Sequence, residues 1–156
     1  MKGLKSLIAK HYTKEEFAWI MQDWANSVYS LMITTAIFPL YFKTVSSNAG
    51  LSAADSTAFL GYANSIATFA VSIMAPVLGA LADYKGYRNP MFTWSTLLGV
   101  FSVIGMMFAE TDQWILLLAL YTLSAIGYSA SNIFYDSSIM DVTTYDRMDR
   151  ISAAGY

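Results

Sequence analysis

Asp23, Asn26, Ser27, Ser30 and Thr34 recur at spacings of three and four, which places them on one face if the segment is helical. Tyr128, Asn132 and Asp136 follow one another at four-residue steps and make a second polar face ending in a carboxylate. Carboxylates, amides and hydroxyls in such stripes supply hydrogen bonds and negative charge, the chemistry of holding a polar solute. They do not assemble a nucleophile with its base: the chain has one histidine, His11, no cysteine and no Ser-His-Asp grouping in reach. No glycine-rich phosphate loop and no metal-ligand cluster stands out, so no cofactor or metal is expected and the chain does not read as an enzyme.

The segments that must position these residues are apolar. Leu31 to Phe42, Phe59 to Leu81, Met91 to Ala109 and Trp114 to Phe134 form the cores of four long runs. A helix needs roughly 20 residues to cross about 30 Å of hydrocarbon, so each run predicts a transmembrane helix. Composition agrees: 56% of residues are hydrophobic and 13% charged, about half the charge of an ordinary soluble surface. A soluble bundle would show amphipathic stripes in place of helices apolar on nearly every face. The fold class expected is all-α, a polytopic membrane protein with four transmembrane helices. Residues 1–13 read as a cytoplasmic N-terminal segment, 14–140 as the transmembrane region and 141–156 as a cytoplasmic C-terminal segment. The helices are expected at about 14–43, 57–82, 90–109 and 113–137.

Orientation follows the cations. Lys2, Lys5, Lys10 and Lys14 precede helix 1, Lys85 and Arg88 lie between helices 2 and 3, and Arg147 and Arg150 follow helix 4. Only Lys43 falls on the other side, and the turn between helices 3 and 4 holds Glu110 and Asp112. The positive-inside rule puts both termini in the cytoplasm, and an even number of crossings agrees. The first apolar stretch is too long for a cleavable signal and lacks a small-residue cleavage pattern, so it reads as an uncleaved anchor. Leu4, Leu7 and Ile8 among lysines fit either a helix lying on the membrane surface or a solvated tail. A formal net charge of −2 gives no reason to expect a nucleic-acid partner.

Thr13 and Glu16 form a capping-box pattern, so helix 1 is expected to begin near Lys14 and to carry Asp23 inside it. An ionisable group in a spanning helix is costly against lipid and must face protein or water. Asp23 therefore serves either a solute path or a hydrogen bond to a neighbouring helix end. Gly61, Ser65, Thr68, Ser72, Ala75 and Gly79 make a small-residue seam on helix 2, the pattern of close helix packing. Asn64, beside that seam, is the candidate for more than packing. Ser95, Gly99 and Ser102 suggest a scaffold role for helix 3, and Pro39 and Pro76 predict bends. Asp141, Asp146 and Asp149 read as a solvated cytoplasmic turn, with Ser152 as the cap of a further helix.

The sharpest local motif is Gly79-Ala80-Leu81-Ala82-Asp83-Tyr84-Lys85-Gly86-Tyr87-Arg88 in the turn between helices 2 and 3. Gly79 suits tight packing, Gly86 a sharp turn, and Asp83 can accept charge-assisted hydrogen bonds. The motif resembles the loop signature of the major facilitator superfamily, with Tyr84 and Tyr87 where that signature usually has basic residues. Asp23-Trp24-Ala25-Asn26-Ser27, Ile37-Phe38-Pro39-Leu40-Tyr41-Phe42, Gly61-Tyr62-Ala63-Asn64-Ser65 and Phe134-Tyr135-Asp136-Ser137 look like the branch holding the yeast vacuolar, autophagy-associated amino-acid effluxer and its bacterial relatives. The resemblance runs from about Glu16 to the last residue and covers roughly the first third of a usual family chain, a partial N-terminal bundle. Leu123 stands where proton antiporters of the superfamily carry an Arg four residues before Gly127, so a proton route through that Arg is not implied.

The resemblance implies transport of a small organic solute, an amino acid foremost, by alternating access. Asp23, Asn26, Asn64, Asn132 and Asp136 are then expected along the solute path, with Arg147 or Arg150 available to neutralise the two carboxylates. Gly79, Asp83, Lys85, Gly86 and Arg88 are expected to form a cytoplasmic gate loop. The partners expected are the solute, the lipid bilayer and either missing C-terminal helices or a second copy of the chain. The location expected is the cell membrane, if the source is bacterial. A four-helix membrane interaction subunit, or a small dimeric exporter, is the alternative of another class.

Overall fold

A computed structural model describes residues 12–110 and 112–155. The expected surface or tail segment before Tyr12 lies outside them. The described residues form helices and turns without a strand.

The first helix, α1, runs from Lys14 to Asn48. Its start follows the capping box: the Thr13 hydroxyl accepts the Glu16 amide at 3.2 Å, and the Thr13 amide donates to Glu16 Oε2 at 2.8 Å. From Ser30 to Ile37 the ladder widens to a π-helix before returning to α geometry at Phe38. Pro39 follows at once. It has no N–H to give the carbonyl of Thr35 four residues back, and the wider ladder stands where an α ladder would break. Gly50 ends the helix in the left-handed region, with φ of 86°, and α1 extends past the expected end at residue 43. α2 (Ala53–Ala82) begins with Ser52 as its cap, and Ser46 and Ser56 share a buried 2.6 Å hydrogen bond that ties the two helices.

α3 (Lys85–Met106) follows a turn at Asp83 and Tyr84, and α4 spans Trp114–Ser137. A short α5 (Ile139–Val142) and α6 (Met148–Gly155) complete the chain described. α1, α2 and α4 are long and apolar enough to cross a membrane. The 22-residue α3 falls outside that group, because Lys85, Arg88 and Asn89 occupy its first turns. Ser152 lies inside α6, whose start four residues earlier replaces the cap expected there.

α4 is the hub, packed on α3 and α2. It meets α3 at backbone distance: a Cβ on Gly127 would lie 2.7 Å from the Gly99 nitrogen and 2.8 Å from the Ser95 carbonyl oxygen. Two apolar cores flank this crossing. Phe38, Phe42, Val45, Leu117 and Tyr121 fill one, with the Phe38 and Tyr121 rings stacked 4.0 Å apart. Trp19, Ile20, Tyr135 and Ile151 fill the other, where α6 crosses the start of α1. Much large apolar surface points outward, including Leu40, Phe69, Trp94, Phe101 and Ile115, as helices turned toward lipid or further helices require.

Among the described residues the small-residue seam of α2 is not a contact. A Cβ on Gly61 or Gly79 would meet nothing within 4 Å, and Ser65 and Ser72 are exposed. α2 instead packs through Ala63 and Ala67. Close approach belongs to the α3 and α4 pair, where both helices carry glycine at the crossing.

Candidate functional site

A cleft of about 380 Å³ opens between the middle of α1 and the second half of α4. Asp23, Asn26, Asn132 and Asp136 all line it, together with Ser27, Ser30 and Thr35. The π-helical segment explains the last of these. An i to i+5 step shifts the register by one, so Thr35 takes the place the simple spacing assigns to Thr34, and its hydroxyl donates to the Ser30 carbonyl at 3.1 Å.

The two polar stripes are joined across the cleft. Asn26 Nδ2 donates to Asn132 Oδ1 at 2.7 Å, and Gln22 Nε2 reaches Asn26 Oδ1 at 3.4 Å. Behind them the Tyr29 and Tyr128 rings stack at 4.4 Å, and the Tyr29 hydroxyl shares a 2.7 Å hydrogen bond with Ser124. Asp23 is 9% exposed, and no side-chain hydrogen bond to its carboxylate is made among the described residues. Asp136 is exposed on the same wall. A second, largely apolar cleft of about 390 Å³ lies on the other side of Asn26, Tyr29 and Tyr128, against α3.

Asn64 stands apart from this cleft. Its Oδ1 accepts the Tyr121 hydroxyl at 2.8 Å and its Nδ2 donates to the Leu60 carbonyl at 3.1 Å, so it ties α2 to α4 beside the first core. The five candidate path residues thus divide into four on one wall system and one in an interhelical tie.

The turn between α2 and α3 is organised by Arg88. Its Nε donates to the Ala82 carbonyl at 2.7 Å, and its Nη1 pairs with Asp141 on α5. Asp141 is therefore an ion-pair partner and no member of a merely solvated turn. Asp83 is exposed at the end of α2, where its backbone amide donates to the Gly79 carbonyl. Gly86 sits in the first turn of α3 without a positive φ, so the chain turns at Asp83 and Tyr84 and not at Gly86. Lys85 opens α3.

Sequence spacing missed the tie between the two ends of the described chain. Glu16, 1% exposed, accepts from Thr143 at 2.7 Å and from Arg147 at 2.9 Å beyond its capping bond. Arg147 thus pairs with Glu16, and Arg150 lies over the Tyr12 ring at 5.6 Å. Among the described residues, neither is paired with Asp23. Trp19 and Tyr135 complete the tie: their rings stack at 4.6 Å, Tyr135 donates its hydroxyl to the Trp19 carbonyl at 2.9 Å, and the Trp19 indole reaches the Tyr135 carbonyl at 3.4 Å. The one visible signal was the capping carboxylate itself, which uses one oxygen at the cap and leaves another for a partner. In the turn beyond, hydrogen bonds from Thr144 and its own backbone amide hold Asp146 below the ordinary carboxylate range.

A family model described as vacuole effluxer Atg22 like matches residues 52–148. Over 147 residues the chain is 46% identical to an uncharacterized MFS-type transporter of Bacillus subtilis, a match covering 94% of this chain and 34% of that relative. The chain therefore spans about a third of that relative's length. No solved structure matches it. Apolar helices, a polar cleft between them and these two matches agree: the chain belongs to the Atg22-like vacuole effluxer family of major-facilitator transporters.

Proposed function

We propose that this chain works as the N-terminal part of a secondary transporter that moves a small organic solute, an amino acid foremost, by alternating access. The observation that carries the reading is the cleft, where Asp23, Asn26, Asn132 and Asp136 share one wall system between apolar helices. Its volume lies in the range of about 300–1,000 Å³ typical of small-molecule sites. Family membership supports transport over the alternative of a four-helix interaction subunit. Asn64 acts here through the Tyr121 tie, keeping α2 in place beside the path. In a full-length family member that keeps these residues, Asp23→Asn and Asn64→Ala should each lower solute flux about tenfold while membrane insertion stays normal. Unchanged flux in both would remove Asp23 from the path and the Asn64 tie from its support.

The Gly79 to Arg88 turn serves as a cytoplasmic gate element. Arg88 fastens it to α5 through Asp141, so the turn and the end of α4 move as one body. In this reading α3 is a fourth crossing, its polar first turns at the cytoplasmic boundary, and both termini are cytoplasmic in a cell membrane. A Lys85→Cys variant should resist a membrane-impermeant thiol reagent applied to intact cells and react after permeabilisation, whereas Glu110→Cys should react from outside. Labelling of the Lys85→Cys variant in intact cells would reverse the topology.

A further inference from the structure

We infer that the cleft recognises its solute through a positively charged group, a primary ammonium seated against the carboxylate of Asp23 with Asp136 on the same wall. The inference rests on the reading of this cleft as a solute path. Asp23 is 91% buried, taking its 9% exposure from the whole, and what remains open faces the cleft that it lines. The residue is largely buried, no donor is bonded to its carboxylate among the described residues, and a cation or donor that reaches it from the cleft is favoured. The lining residues hold two carboxylates and no Lys, Arg or His.

The neighbouring groups sharpen the choice of occupant. The amide pair is already committed, since Asn26 Nδ2 donates to Asn132 Oδ1 and Asn26 Oδ1 accepts from Gln22. Neither bond turns a donor toward Asp23. A primary ammonium carries three donors on a compact charge and can bridge the Asp23 carboxylate and the hydroxyl oxygens of Ser27 and Ser30 on the same stripe. An anionic solute would add like charge beside that carboxylate, and a neutral donor would hydrogen-bond it without cancelling its charge. Asn132 Nδ2 takes no part in that bond and is placed to donate to a polar group elsewhere on the solute.

The test uses the 156-residue chain in lipid nanodiscs, with the side-chain amide signals of Asn26 and Asn132 followed by nuclear magnetic resonance. Ethylammonium chloride should shift both signals saturably. Sodium chloride at equal ionic strength and 1-propanol, a neutral molecule of similar size, should not. Asp23→Asn should raise the apparent Kd for ethylammonium at least tenfold, the scale of one charge-assisted hydrogen bond. Absence of a saturable shift, an equal response to sodium, or an unchanged Kd in Asp23→Asn would each overturn the ammonium seat. If Asp23→Asn fails to fold, the wild-type comparison of the three probes decides alone. Loss of flux on Asp23→Asn in a transport assay, with no ethylammonium response here, would leave the solute path standing and sink only its charge preference.

Discussion

Gly127→Ala should destabilise the chain by about 1–3 kcal/mol or more, the range for overpacking a filled interior, and Gly127→Leu should prevent the α3 and α4 pair from forming. A single methyl group at Gly127 would press on backbone, with the Gly99 nitrogen at 2.7 Å and the Ser95 carbonyl oxygen at 2.8 Å. Backbone atoms within a helix cannot rotate away, so relief requires the two helices to separate and their whole interface to thin. The opposing position is less constrained. A Cβ on Gly99 would meet its nearest neighbour, the Ser124 carbonyl oxygen, at 3.6 Å, ordinary van der Waals contact. Gly99→Ala should therefore be much milder than Gly127→Ala, although both residues sit at one crossing. Gly61→Ala and Gly79→Ala meet open space and should be neutral or stabilising by up to about 1 kcal/mol, the helix-propensity difference. Unfolding in mixed micelles with increasing dodecyl sulfate, followed by circular dichroism, ranks the four variants. Equal stability of Gly127→Ala and Gly61→Ala would contradict the crossing.

That ranking also marks what could be read from the chain alone. Long apolar runs state their own helices, because lipid admits few other backbone arrangements, and Thr13 with Glu16 states where α1 begins. Asp23, Asn26, Asn132 and Asp136 are legible as stripes since spacings of three and four hold in α geometry, and they meet in one cleft. The stripe fails beyond Ser30, where the π segment advances the register and brings Thr35 to the wall. Nothing in composition announces that segment except Pro39 behind it.

Helix pairing was harder to read. Gly61, Ser65, Ser72 and Gly79 look like a packing seam as convincingly as Gly99 and Gly127 do, yet of these two sets the latter alone meets a neighbouring helix among the described residues. Small residues permit approach without naming the partner. The ion pairs were hidden for a related reason. Arg88 with Asp141 and Arg147 with Glu16 join positions 53 and 131 residues apart, and charge type alone leaves every acid open to every base.

Glu16→Ala should cost about 2–4 kcal/mol, placed between the loss of a charged hydrogen bond and the breaking of a fully buried ion pair. The carboxylate is 1% exposed and serves three donors: the Thr13 amide, the Thr143 hydroxyl and Arg147. Removing it takes this acceptor from all three at once. The cost stays below the extreme for a buried pair because the Arg147 side chain is 35% exposed and can turn to water. Glu16→Gln should fall between the variant and the parent, since its amide oxygen can still cap Thr13 or accept from Thr143 but offers Arg147 no charge. The damage should also be local. α6 is held on α1 by Ile151 in the Trp19 core and by Gly155, where a Cβ would lie 2.9 Å from the Trp19 ring, so loosening the Glu16 tie frees that helix first. Amide hydrogen exchange should quicken across 148–155 while the residues around Gly99 and Gly127 keep their protection. Uniform acceleration along all the helices would mean that Glu16 supports the whole bundle, and unchanged exchange in 148–155 would mean that the tie carries no load.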